Sequence, residues 1–282
     1  MKKLLFLFLL VVVGVGSCVA GRRMASKSEG VRCVQIVRLE GEILDPRHVV
    51  ERLEEAKADS NVRAVVLRIE SPGGAVGASQ EIYEAVRSLD KIKPVVASIG
   101  NVGASGGYYS AIGARRIWAN PGSLTGSIGV ITQFTDVHGL MDKLGIHAEV
   151  VKSGESKDAG SPFRPMTERE KALFHTMVLD VYAQFRGAVS ERRHVDSAAL
   201  DTLADGRVLT GRQAWKAKLI DTLGTMLQAE SDAKMLAGLP ADAEVQEEES
   251  RMPLWRRLVD PDAEGLSRLL PRAGSRVELR MP

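Results

Sequence analysis

Apolar positions along this chain alternate between short continuous runs and stretches with helical spacing, and that alternation organises it. Residues 34–39 read as a strand, and residues 48–58 carry Val49, Val50, Leu53 and Ala56 at the spacing of one helix face. Residues 63–70, with Val65, Val66, Leu67 and Ile69, form the strongest strand signal, closed by Ser71-Pro72-Gly73-Gly74. A helix is predicted over 79–89 through Ile82, Tyr83, Val86 and Leu89, and a further strand over 94–99. Residues 113–119 return towards a strand, 125–131 are a glycine-punctuated β-like stretch, 135–144 a short helix and 148–151 another strand. A polar loop over 152–165 precedes Thr167-Glu168-Arg169-Glu170, a capping-box pattern that opens a long helix through Leu173, Met177, Val181 and Phe185. Thr210-Gly211-Arg212-Gln213 repeats that pattern before Ala214, Trp215 and Leu219. Strand and helix in alternation predict an α/β fold with a substantially parallel sheet.

The two ends fall outside this rhythm. Met1-Lys2-Lys3 is cationic, and residues 4–15 are apolar apart from Gly14. As a helix they rise about 18 Å, short of a hydrocarbon core of roughly 30 Å. Residues 1–20 therefore read as an export signal or a short membrane anchor. Val15-Gly16-Ser17-Cys18 resembles a lipobox, so Cys18 is a candidate for lipid modification; the rival reading is an uncleaved anchor in which Cys18 is incidental. Either places the following domain on the outer side of a membrane. Residues 21–30 read as a tether, 31–238 as the globular domain and 239–282 as an extension. Trp255, Leu258, Leu266, Leu269 and Leu270 among arginines give that extension three readings: an amphipathic surface helix, a disordered tail or a self-cleaved substrate-like tail.

Composition narrows the function. The formal net charge of +2 and scattered basic residues give no support to a nucleic-acid partner. Two cysteines and five dispersed histidines have no metal-ligand spacing, and no cofactor is implied. Cys33, in a strand-like run, reads as a small buried hydrophobe. If Cys18 is acylated, no intrachain disulfide can form.

The candidate chemistry starts at Ser105, in Asn101-Val102-Gly103-Ala104-Ser105-Gly106-Gly107-Tyr108-Tyr109. Small neighbours let a substrate backbone approach the hydroxyl, and the glycines permit a sharp turn that presents main-chain N–H groups. A serine hydroxyl needs a base. His138 with Asp136 is the first pair to weigh, but Asp136 reads better as a helix cap; His48, His147, His175 and His194 lie in segments without an accompanying signature. Lys157, in a small-residue loop after a predicted strand, is the alternative, because a lysine that loses its proton can act as the base. Ser71-Pro72-Gly73-Gly74 ends the strongest strand, where free N–H groups can face a crevice beyond the sheet.

Four segments together resemble the signal peptide peptidase A family: Ser71-Pro72-Gly73-Gly74, Ala104 to Tyr109, Thr125-Gly126-Ser127-Ile128-Gly129-Val130, and Lys152-Ser153-Gly154 through Lys157-Asp158 to Ser161-Pro162-Phe163. The resemblance covers roughly residues 34–235. It implies a fold shared with Clp protease and the crotonases, a serine endopeptidase with Ser105 as nucleophile and Lys157 as general base, Ser127 orienting the lysine amine, and an oxyanion hole made by the N–H groups of Gly74 and Gly106. It also implies peptide substrates, namely signal peptides left after export from the bacterial inner membrane. The chain carries one repeat where a longer form of the family has two, which implies a ring-like homo-oligomer with Ser105 and Lys157 contributed by neighbouring subunits. Ser156 and Ala159 stand where bulkier residues are frequent, and Lys218 where a helix-ending glycine is usual. Two other readings remain on the same fold: a crotonase-like enzyme acting on acyl-CoA, and a non-catalytic lipoprotein scaffold.

Overall fold

Strand β1 (Cys33–Glu40) pairs in parallel with β2 (Val62–Ser71), and β2 with β3 (Val95–Ala104), in a computed structural model that describes residues 31–247. The predicted N-terminal segment with Cys18, the tether and residues 248–282 of the predicted extension lie outside the described residues. Helix α1 (Arg47–Ala58) links β1 to β2, and α2 (Val76–Asp90) links β2 to β3. Both turn their periodic positions inward: Val49, Leu53 and Ala56 from α1, and Ile82, Tyr83, Val86 and Leu89 from α2, join one large core with Leu67, Ile69, Ala97 and Ile99 of the strands. These central strands are covered on both faces, which is why they read as continuous rather than alternating apolar runs. The opposite face buries Val34, Ile36, Ala64, Val66 and Val96 against Ala229 and Ala233 of α8 (Met226–Leu236). Cys33 is fully buried as a free thiol, in keeping with its predicted packing role.

The sheet forks at β3. Val96–Ile99 pair with β4 (Arg116–Ala119), whereas Val102–Ala104 pair with β5 (Leu124–Gly126). The Gly100 carbonyl lies at the fork, where the buried Ser123 hydroxyl donates to it. Pairing is thereby handed to β5 just before the chain reaches Ser105. Strand β6 (Val208–Thr210) runs antiparallel to β5, β7 (Thr222–Leu223) extends β4, and β8 (Glu244–Glu247) lies beside β1.

Beyond β5 the chain departs from the sequence expectation. Only α4 (His138–Lys143) is regular between residues 127 and 154; the predicted strand 148–151 does not form. Val150 and Val151 have β-forming side chains but face solvent, Val151 completely, and a strand needs a ladder partner. The long helix α5 (Glu168–Arg193) starts at the predicted Thr167 capping box, yet its apolar stripe is buried only in the second half, at Phe185 and Val189, while Leu173 and Met177 are about half exposed. Two short helices complete the fold, α6 (Ser197–Leu203) and α7 (Gly211–Lys216), the latter opened by the second predicted capping box at Thr210.

Lys218, just past α7, adopts the left-handed conformation with φ of 60°, at the position where the resemblance implied a glycine. A side chain there is strained. Lys218→Gly is therefore expected to relieve about 1–2 kcal/mol of strain and, net of the entropy glycine adds to the unfolded chain, to stabilise the protein by about 0.5–1 kcal/mol, read as a higher denaturant midpoint. An unchanged or lower midpoint would contradict the strain.

Candidate active site

Ser105 lies between β3 and α3 (Gly106–Ala111), the helix that follows it immediately. Its backbone (φ 52°, ψ −122°) is one that non-glycine residues rarely adopt. The turn is held from both sides: the Ser105 N–H donates to the Gly126 carbonyl at 2.9 Å, and its carbonyl accepts from the Tyr109 N–H at 2.9 Å. The side chain is thus lifted off the sheet edge at a helix N-terminus, and strain retained at such a turn marks a functional position.

Glycines let the neighbouring backbone close around it. At Gly73, with φ of 101°, a Cβ would lie 2.6 Å from the Gly106 nitrogen and 2.9 Å from the Ser105 Cβ, so no side chain fits between the two segments. The Gly73 N–H is taken by the buried Ser71 hydroxyl at 3.1 Å, and the Gly73 carbonyl by the Ile43 N–H at 2.9 Å. The N–H groups of Gly74 and Gly106 take no part in these bonds. Gly106 is the first residue of α3, whose N–H has no partner within its own helix.

Ser127 sits across from Ser105 at the end of β5. Its φ is 50°, and its N–H is anchored on the Arg207 carbonyl at 2.9 Å. Gly74, Ser105, Gly106 and Ser127 all line one cavity of about 390 Å³, a size suited to a small side chain or short peptide segment. Its apolar wall comes from Val76, Tyr109, Val181 and Phe185. Tyr83 stacks on Tyr109 with ring centroids 5.1 Å apart, and Phe185 meets Tyr109 edge-on at 4.6 Å. A larger hollow of about 740 Å³ lies against α5, lined by Lys152, Arg164, Glu170 and Leu173 among others. The smaller cavity is the candidate site, because it joins hydroxyls to glycine N–H groups.

No base at neutral pH lines this cavity among the described residues. Its titratable side chains are Asp205 and Tyr109. Hydrogen bonds from Arg207 hold the Asp205 carboxyl down at about 2, too weak a base to take a serine proton. Burial pushes the Tyr109 phenol up, so it stays protonated. His138 is also elsewhere: it begins α4 and lies beside Asp142, and its N–H donates to Asp136 Oδ1 at 2.9 Å, although the N-cap position itself is Val137 rather than the expected Asp136. Lys157 occupies a 3-10 turn (Glu155–Asp158), exposed, in a shallow surface hollow with Gly154, Glu155 and Arg169. Within one chain the fold brings together Ser105, Ser127, Gly74 and Gly106, and leaves Lys157 outside their cavity. Cys18 lies outside the described residues.

The family model described as "Peptidase family S49" matches residues 87–240. The chain belongs to peptidase family S49. The S49 match spans Ser105, Ser127 and Lys157, and a second model, "Clp protease", matches residues 28–120 and accounts for the parallel core and the turn at Ser105. Among curated S49-like relatives, a putative protease of Synechocystis is 42% identical over 202 residues, covering 71% of this chain and 73% of the relative. A putative protease of Methanocaldococcus jannaschii is 38% identical, covering 69% and 63%. A putative signal peptide peptidase SppA of Enterococcus faecium is 35% identical, covering 63% and 52%. The chain is an α/β peptidase of this family.

Sequence reasoning missed part of the cavity wall. Asp205 and Gly206 enter it from the turn before β6, and a Cβ on Gly129 would come within 3.0 Å of the Gly206 Cα. The dipeptide Asp205-Gly206 signals a turn, but nothing local says that this turn closes on Ser127.

Proposed function

We propose that this protein is a membrane-tethered serine endopeptidase that cleaves residual signal peptides after export, using Ser105 as nucleophile and Lys157 of the partner subunit as general base. The observation that carries this reading is a cavity holding a strained serine, glycine N–H groups and a second serine, but no base among the described residues. The missing group comes from outside that cavity, and Lys157 is exposed on a different part of the surface. The apolar positions exposed on residues 131–151 and on the first half of α5 (Ile131, Leu144, Val151, Leu173 and Met177) support a surface that a second copy covers in a ring.

In the proposed reaction the neutral Lys157 amine, held by the Ser127 hydroxyl, accepts the Ser105 proton as Oγ bonds to the scissile carbonyl carbon. Charge developing on the carbonyl oxygen is received by the N–H groups of Gly74 and Gly106. The lysine ammonium then protonates the departing amine, the C–N bond breaks, and an ester to Ser105 remains. Water, deprotonated by the same lysine, releases the acid and restores the serine. The apolar wall suits an apolar segment, and one relative is named a signal peptide peptidase. Membrane attachment rests on residues 1–20; no helix among the described residues is long and apolar enough to cross a membrane.

The test is digestion by the full-length protein of a synthetic signal peptide and of a polar peptide of equal length. The expected result is cleavage of the signal peptide within its apolar stretch, at least tenfold faster than the polar peptide. Equal rates on both would sink the substrate assignment, and absence of cleavage by a folded, assembled sample would sink the activity.

A further inference from the structure

Lys152, Arg169 and Arg164 all reach the turn that carries Lys157, and Arg164, the one that joins it to a shielded carboxylate of α5, was singled out by neither the family motifs nor the spacing. Arg164, on the returning arm of the loop, satisfies all five of its N–H donors. Nε donates to Asp158 Oδ2 at 2.9 Å; Nη1 donates to Glu170 Oε2 at 2.9 Å and to the Pro165 carbonyl at 3.2 Å; Nη2 donates to Glu170 Oε1 at 2.5 Å and to the Asp158 carbonyl at 3.2 Å. The other Asp158 oxygen accepts from Lys152 Nζ at 2.6 Å. Glu170 also accepts from the N–H of Thr167, the N-cap of α5, at 2.9 Å, closing the capping box.

This is a linkage with a direction: the first turn of α5, Glu170, Arg164, Asp158, and then Lys157 one residue away. The two carboxylate side chains are shielded, Glu170 at 8% and Asp158 at 13% exposed, so the linkage is built into the fold. Lys157 is exposed beside it and takes no part in these bonds. Arg164 also neutralises Asp158, which would otherwise favour the charged ammonium next door. Hydrogen bonds from Arg164 hold the Asp158 carboxyl well below the usual carboxylate range and bring Glu170 down to about 2. Both groups therefore stay charged above about pH 4.5, and the linkage is lost only as the pH falls towards 2.

We propose that Arg164 is a positioning residue for the general base: it locks the Lys157 turn to α5, so that the amine is presented to the neighbouring site in one place, and it cancels the adjacent carboxylate. The inference rests on Lys157 as that base. A planar guanidinium can hold two carboxylates and two carbonyls at once, and an ammonium cannot. The charged groups around Lys157 are Glu155 and Asp158 on its own turn, Lys152 and Arg164 on the two arms of the loop, and Arg169 with Glu170 on α5.

The experiment measures kcat, KM and the pH dependence of kcat/KM for full-length wild type, Arg164→Lys, Arg164→Gln, the double variant Asp158→Asn/Arg164→Gln, and Lys157→Ala. Arg164→Gln is expected to lower kcat about 10- to 100-fold with KM within about twofold, the size of loss that follows misplacing a reacting group. Its activity should rise at a higher pH than wild type, because Asp158, left with Lys152 as its one cationic partner, favours the ammonium more strongly. Removing the carboxylate as well should return that rise towards the wild-type pH while kcat stays low. Arg164→Lys keeps the charge but not the fork, and should keep the wild-type pH profile with a reduced kcat. Should Arg164→Gln fail to fold, Arg164→Lys decides: full kcat overturns the proposal, and reduced kcat at unchanged KM supports it. Wild-type kcat and pH profile in Arg164→Gln overturn the proposal while leaving Lys157 as base. Full activity in Lys157→Ala overturns both.

Discussion

Ser105→Ala is expected to leave a folded protein whose kcat/KM is at least about 10⁴-fold below wild type, the loss typical of removing a nucleophile from an acyl-transfer site. The substitution deletes one oxygen and keeps the Cβ, so the strained turn and its bonds to Gly126 and Tyr109 remain. Labelling by a fluorophosphonate should vanish with the hydroxyl. Ser105→Gly gives a second readout. Glycine occupies φ of 52° without penalty, so this variant is expected to be equally inactive and more stable than Ser105→Ala by about 1–3 kcal/mol of released strain. Loss of activity with a gain in stability is the signature of a backbone strained for function. Activity surviving in a pure Ser105→Ala sample would assign the chemistry to another group. Equal stability of the alanine and glycine variants would mean that the turn holds no strain.

Much of this fold was legible because its signals are local. The continuous run from Val65 to Ile69 and the helical spacing of Ile82, Tyr83, Val86 and Leu89 each report burial of a segment by its own residues. The three motifs around Gly74, Ser105 and Ser127 were grouped by the family resemblance, and the structure gives the physical reason that they meet: β2, β3 and β5 run parallel and their ends converge. The fork in β3 was not legible. It depends on which strand supplies a partner at each half, and the sequence of β3 is the same whichever strand does. Residues 148–151 show the same limit from the other side: their pattern is that of a strand, but a strand is completed by its neighbour, and the described residues offer none there. Leu173 and Met177 keep a core-like spacing on a face that the described residues leave about half exposed. Lys157 belongs with these positions. The family resemblance picks out the residue, whereas in the proposed arrangement its place relative to Ser105 is set by the second copy that covers the exposed apolar surface.

Mixing two inactive variants tests that arrangement most directly. Ser105→Ala retains Lys157, and Lys157→Ala retains Ser105; each alone should show less than about one thousandth of wild-type activity. If both groups of a site come from one chain, no mixture can build a complete site. If the lysine of one subunit serves the serine of the next, a mixed assembly contains complete sites wherever a Lys157→Ala chain receives its base from a Ser105→Ala neighbour. With equal amounts and random order, about one quarter of the sites are complete, so co-expression should restore about a quarter of wild-type activity, through the head-to-tail contact that a ring requires. The same contact makes wild-type activity fall on dilution, in step with loss of the assembled species, because a separated subunit holds Ser105, Ser127 and the two glycine N–H groups without a base. A mixture no more active than its parts, with the assembly intact, would place both groups in one chain. The loop from 152 to 165 would then have to move as a unit with the first turn of α5, to which Arg164 fastens it.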